Sequence, residues 1–258
     1  MNNLDFVAKL KGIANNYKTL YVMGCFGAPM NATNKKRYTN NHTYNKQADR
    51  TKMINAASID TFGFDCVCLI KGVLWGWNGD KNKNYGGATY TSNGVPDIGA
   101  DSMINVCSGV STNFSKIEVG ELVWMKGHVG VYIGDGLAVE CTPIWKNCVQ
   151  ITACNCDKKG YNRRNWTKHG KLPYITYNTV KEPSKPTTVA NTSSVKYYPK
   201  YNGTTNSIVD ALKSLKIDSS FAYRKRIAQA NEITSYTGTA KQNTTMLNLL
   251  KQGKLKQC

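Results

Sequence analysis

Apolar residues recur at helical spacing in several parts of the chain and alternate in one. Near the start, Phe6, Leu10, Ile13, Ala14 and Tyr17 fall on one stripe and predict an amphipathic helix. In "DCVCLIKGVLWGW", Cys66, Leu69, Val73 and Trp77 share one side, and Asp65 stands where an N-cap would open the helix at Cys66. "ELVWMKGHVGVYIGDGLAVECTP" alternates and is rich in β-branched residues, which predicts consecutive antiparallel strands turning at Gly134-Asp135-Gly136. Between helix and strands lies a Gly- and Asn-rich stretch, 78–105, expected as a long surface loop. A helix packed on an antiparallel sheet makes this part an α+β domain.

The pattern breaks at 178–195, where Pro, Thr, Ser and Val replace any apolar period and predict a semi-extended linker. The expected organisation is a domain at 1–177, the linker, and a small helical module at 196–258. That module holds three helical segments. Ile208, Ala211, Leu212 and Leu215 mark the first; Phe221 and Ile227, beside the basic run Arg224-Lys225-Arg226, mark the second; Met246, Leu249 and Leu250 mark the third.

Charge sharpens this division. The net charge is +18, and residues 196–258 carry eleven Lys and Arg against three Asp and Glu. A positive field draws polyanions: nucleic acid, anionic membranes, or the phosphate- and carboxylate-rich polymers of a bacterial wall. No apolar run approaches the roughly 18 residues of a membrane span. The N-terminus lacks the charged start and continuous apolar core of a signal peptide, so synthesis in the cytoplasm is expected. Nine cysteines is an odd number, and in a reducing compartment they are expected as thiols.

The candidate chemistry centres on Cys66. A thiolate is the nucleophilic form of cysteine, and a helix N-terminus favours it. Cys68 would point about 200° away on the same helix and so lie outside that site. The bland reading makes both small buried hydrophobes. Three histidines compete as the base: His42 in a polar loop, His169 capping a turn, and His128 at the start of a strand, the best placed. A three-residue turn at 134–136 would pair residue 130 with 140 and put Glu140 diagonal to His128 on one face, with Thr142 as the competing partner.

Together, "GFDCVCLI" and the later "GHVGVYIGDGLAVECTP" resemble the NlpC-type cell-wall peptidases, papain-like cysteine enzymes that cut peptidoglycan stem peptides. The likeness covers residues 15–177. It implies Cys66 as nucleophile, His128 as base and Glu140 as the third member. Tyr21, in "YVMGCFGAP", would form an oxyanion site with the Cys66 backbone N–H. The chain departs from the family in "DCVC" for "DCSG", in "MGC" for "WGG", and in Glu140 where histidine is commoner. The resemblance implies cleavage between γ-D-glutamate and the diamino acid, with no cofactor. The tail resembles a module recurrent in clostridial wall hydrolases and phage endolysins, which implies a cell-wall-binding role without naming its ligand; with the positive charge, the expected partners are bacterial peptidoglycan and anionic wall polymers, met after release from the host cytoplasm.

Other readings stay open. Cys141, Cys148, Cys154 and Cys156 are dense enough to hold Zn²⁺ but lack paired C-x₂-C knuckles. Nucleic-acid binding fits the charge but has no reader motif. The same thiol could serve an amidase cutting between muramic acid and L-alanine. A catalytically dead wall-binding protein is a further alternative, and an oligomerisation element is an alternative role for the tail.

Overall fold

The computed structural model describes residues 1–177, 197–233 and 236–257. The chain divides into two compact units, Met1–Lys181 and Glu182–Cys258. The stretch expected as a linker, 178–195, lies outside the described residues.

The first unit mixes helices with two sheets. Helix α1 (Asn3–Asn16) is capped by the Asn2 side chain, which accepts from the Asp5 backbone N–H, and it buries Phe6, Val7, Leu10 and Ile13. Tyr17 falls just beyond it as the C-cap and packs edge-on against Phe62 and Trp77. Strands β1 (Lys18–Tyr21), β2 (Phe26–Pro29) and β3 (Thr61–Phe64) form a small sheet in the order β1-β3-β2, with β1 and β3 parallel. Helices α2 (Ala32–Asn41) and α3 (Ala48–Ala56) connect β2 to β3.

Helix α4 (Cys66–Leu74) follows β3 directly, and all of it is buried. It packs against β2, where a side chain on Gly72 would come within 2.7 Å of the Phe26 carbonyl. The helix ends earlier than the apolar spacing predicts. Gly76 adopts φ +92°, and Trp77 N–H turns back to the Gly72 carbonyl at 2.9 Å, a glycine-based stop. Trp77 is therefore buried from a loop, not from the helix, with its indole N–H on the Gly27 carbonyl.

The expected surface loop is partly ordered. It contributes helix α5 (Ala100–Asn105), and the Val95 carbonyl accepts from the buried Trp75 indole. A seven-stranded sheet follows, built from β4 (Ser108–Ser111), β5 (Leu122–Met125), β6 (His128–Gly134), β7 (Leu137–Thr142), β8 (Cys148–Cys154), β9 (Arg163–Arg164) and β10 (Lys168–Lys171), in the order β4-β10-β5-β6-β7-β8-β9. Its pairs are antiparallel except β8 with β9.

The β6–β7 hairpin pairs Gly130 with Glu140, the register expected from the sequence, by a different route. Asp135 and Gly136 both have positive φ and form a two-residue turn of the kind Asp-Gly favours. The extra residue is absorbed by an irregularity in β6 between Tyr132 and Gly134.

In the second unit, α6 (Ile208–Ser214), α7 (Phe221–Ala230) and α8 (Ala240–Lys251) enclose a core of Ile208, Leu212, Ile227, Met246, Leu250 and Leu255. Thr239 and Gln242 form a capping box on α8. Phe221, expected on the apolar face, is 49% exposed because it stands at the first position of α7, outside the core. Among the described residues no helix is long and apolar enough to cross a membrane.

Candidate active site

The start of α4 is fixed by Asp65. One carboxylate oxygen accepts from the Cys68 N–H and the other from the Gly24 N–H, both at 2.7 Å. The same side chain thus caps the helix and ties down the loop after β1. Cys66 opens the helix and lines a cleft of about 480 Å³, together with Tyr21, Gly24, His42, Lys71 and Gly127. Residues of the 78–105 segment, Tyr90, Asp97 and Ile98, form its far wall. The buried Lys71 ammonium reaches that wall, bonding Asp97 and, at 3.0 Å, the Ile98 carbonyl.

Cys68 lines this cleft too, contrary to the expectation that helical rotation would remove it. The reason is the helix end: residues around the whole first turn border a cleft that lies across the N-terminus.

The Cys66 thiol is pushed up to about 12, first by burial and then by the neighbouring Asp65 charge. Backbone N–H groups of Val129, Val67 and Cys66 act in the thiolate's favour but are outweighed. The resting group is therefore a neutral thiol, not the thiolate anticipated from a helix N-terminus, and it needs a base when it reacts. Its contact with the Val129 N–H sets it against the start of β6, beside His128.

His128 is half-buried, and its Nε2 lies 2.7 Å from Glu140 Oε2. A carboxylate only accepts, so Nε2 carries a proton, and in the neutral ring Nδ1 holds the lone pair. Nδ1 has no hydrogen-bond partner among the described residues. The imidazole also lies parallel to Trp166, with ring centres 5.4 Å apart.

Glu140 is fully buried in the middle of the sheet. Thr152 Oγ1 donates to Oε1 at 2.7 Å, and Arg164 reaches Oε2 from Nη2 at 2.8 Å and from Nε at 3.1 Å. Burial opposes the charge of Glu140, but bonds from His128 and Arg164 outweigh it and hold the carboxyl below its ordinary value. Thr142, the competing partner for His128, instead accepts from Arg164 at 3.1 Å. Nothing in "YNRRNWTKHG" marks Arg164 or Trp166 for this site; the β8–β9 pairing brings in Arg164, and Trp166 is held by backbone bonds with the Asn155 side chain.

Tyr21 closes the other side of the cleft. It ends β1, paired with Phe64 two residues before Cys66. Arg50 grips its carbonyl and lies under its ring. Its hydroxyl has only the Met23 sulfur, at 4.0 Å, among the described residues, and its pKa is raised by burial and then by Cys66. It is protonated and lines the cleft with only this long sulfur contact.

The other histidines do different work. His42 caps the end of α2 and borders the cleft through Gly24, where its ring fills the space of a Cβ. His169 lies within β10, not at a turn; it is buried, bonded to Glu121 and to the Asn113 carbonyl at 3.1 Å. Cys141 and Cys148 sit at one end of the β7–β8 pair, with Cys154 and Cys156 at the other. The eight described cysteines are free, and no three metal-ligating side chains gather among the described residues.

No known family model matches the chain. It is 33% identical over 129 residues to an L-alanyl-D-glutamate peptidase of Listeria phage A118, a match covering 50% of this chain and 39% of that protein. It is 40% identical over 76 residues to an endolysin of Listeria phage A511, covering 30% of this chain and 21% of that protein. The chain thus spans well under half the length of either of these curated phage relatives.

Proposed function

We propose that the chain is a peptidoglycan peptidase of the endolysin kind, in which a papain-like, NlpC-type cysteine peptidase domain is joined to a cell-wall-binding module. The observation that carries this reading is the Cys66 thiol at the N-terminus of α4, set against the start of a strand whose first residue, His128, is oriented by a buried carboxylate. The names of the two phage relatives support the same substrate class.

In the proposed reaction, Cys66 Sγ attacks a stem-peptide carbonyl carbon while its proton passes to His128 Nδ1. The oxyanion is met by the Tyr21 hydroxyl and the Cys66 backbone N–H. The imidazolium then gives its proton to the departing amine, leaving a thioester. Water, deprotonated by His128, releases the acid and restores the thiol. Glu140 holds the tautomer that keeps Nδ1 basic. No cofactor enters these steps.

The bond between γ-D-glutamate and the diamino acid is the proposed target. The bond between L-alanine and D-glutamate is the second reading, favoured by the name of the phage A118 relative. The exposed Lys225 and Arg226 of α7 support anionic wall polymers as ligands of the tail. Mass spectrometry of stem peptides after digestion of purified walls tests the whole reading. New termini at either bond, lost in Cys66→Ser, support a peptidase. Release of intact stem peptides from muramic acid would make the enzyme an amidase, and no release would leave a wall-binding protein.

A further inference from the structure

Arg164 is the part of the site that the proposed Cys-His-Glu chemistry does not use. It comes from the two-residue strand β9, held parallel to the end of β8 by the pairing of Cys154 with Arg164. Its guanidinium bridges both oxygens of Glu140 and the Thr142 hydroxyl, and its Cζ lies over the Trp145 ring, 4.6 Å from the centroid. Side-chain exposure is 11% for Arg164 and zero for Glu140. A lone surface contact would not be built this way, because removing two charges from water is costly unless the pair is well bonded.

Glu140 Oε2 is shared: it accepts from His128 Nε2 and from Arg164 Nη2. Without the guanidinium, the full carboxylate charge would act on the imidazole. With it, the pair is close to neutral as seen from the ring. We propose that Arg164 is a positioning residue for the reaction, locking the Glu140 carboxylate in place and offsetting its charge, so that Glu140 orients His128 without loading the ring with a proton. The inference rests on the reading of His128 as the base. Cys141 on β7 and Cys154 on β8 feel the charge of Glu140; on the His128 side, Cys66 of α4 contacts the Val129 N–H, and Lys126 and the Asp101 of α5 that accepts from the Gly127 N–H stand just before His128 in the chain. Arg164 is the cation that bonds Glu140 directly.

The test follows the His128 ring by NMR titration of the full chain, where the three histidines are separable by substitution. In Arg164→Gln the His128 midpoint should rise by about one pH unit, the order of effect of one uncompensated neighbouring charge. The acid limb of kcat/KM should move the same way. A merely structural Arg164 would lower the melting temperature and leave both where they were. Because Arg164→Gln strands a buried carboxylate and could unfold the domain, the comparison is repeated in a neutral background. Adding Arg164→Gln to Glu140→Gln removes both charges, and the double variant should titrate higher than Glu140→Gln alone. An unchanged midpoint in these comparisons overturns the inference, whatever the enzyme cuts. A raised midpoint in a protein that cuts no wall peptide supports the coupling and refutes the proposed function instead.

Discussion

Replacing Glu140 separates orientation from charge. In Glu140→Gln one placement of the amide keeps most of the bonds. Its oxygen takes the Oε2 position, accepting from His128 Nε2 and Arg164 Nη2, and its NH₂ takes the Oε1 position, donating to Thr152 Oγ1. This placement gives up the Arg164 Nε contact to Oε1 at 3.2 Å, whereas the reverse would aim an NH₂ at both Arg164 Nη2 and the imidazole Nε2 and lose more. His128 therefore keeps its tautomer and loses only the charge opposite it. A fall in turnover of about tenfold is expected, equivalent to one pKa unit of lost stabilisation of the imidazolium. Glu140→Ala removes the acceptor altogether, and the loss should reach about 10²–10⁴, the usual contribution of a positioned base.

Stability must be measured beside activity. Glu140→Ala leaves Arg164 buried without its partner, at a cost of about 3–5 kcal/mol. That is a large share of the roughly 5–15 kcal/mol that holds a typical domain. Rates are therefore normalised to the folded fraction from a thermal melt. The pH dependence supplies a second check. The folded carboxyl of Glu140 is held below its ordinary 4.5, so its stabilisation is present above that pH and is lost as pH falls through the folded value. Glu140→Gln should lose stability less steeply on acidification. Equal turnover of Glu140→Ala and the native chain on stem peptides would refute the orienting role.

Three further outcomes are expected. Cys66→Ser should abolish hydrolysis with the fold intact while Cys68→Ala keeps most activity; alkylation of Cys66 should climb about tenfold per pH unit through the mildly alkaline range, and a plateau near neutrality would mean a resting thiolate. Tyr21→Phe should lower kcat by about 10²-fold with little change in KM, as loss of one oxyanion donor does, and an unchanged kcat would remove Tyr21 from the site. A 1–177 truncation should cut soluble stem peptides yet act weakly on intact walls, because the second module raises local concentration. The 196–258 module alone should sediment with walls and be loosened by salt, as charges screened over about 10 Å at 0.1 M would be. Failure to sediment with any wall would leave it a structural or oligomerisation element, which size measurements would detect.

Local pattern was enough for the elements that hold the candidate site. The apolar period and Asp65 placed Cys66 at a helix start because capping depends on a side chain and a backbone N–H three residues apart. Alternation placed His128 and Glu140 on neighbouring strands, since the side-chain period of a strand is two. Even the register was legible, although the bulge in β6 and the Asp135-Gly136 turn share a residue differently from the turn expected. Other features were decided by contacts distant in sequence. Arg164 reaches Glu140 across 24 residues through the parallel pairing of β9 on β8, and two adjacent arginines in a polar stretch give no hint of it. The protonation of Cys66 was likewise set by tertiary structure. The sequence shows a helix N-terminus, which favours thiolate, but burial under the sheet and the charge of Asp65 win, because desolvation acts on the whole group while the backbone N–H groups offer only partial charges.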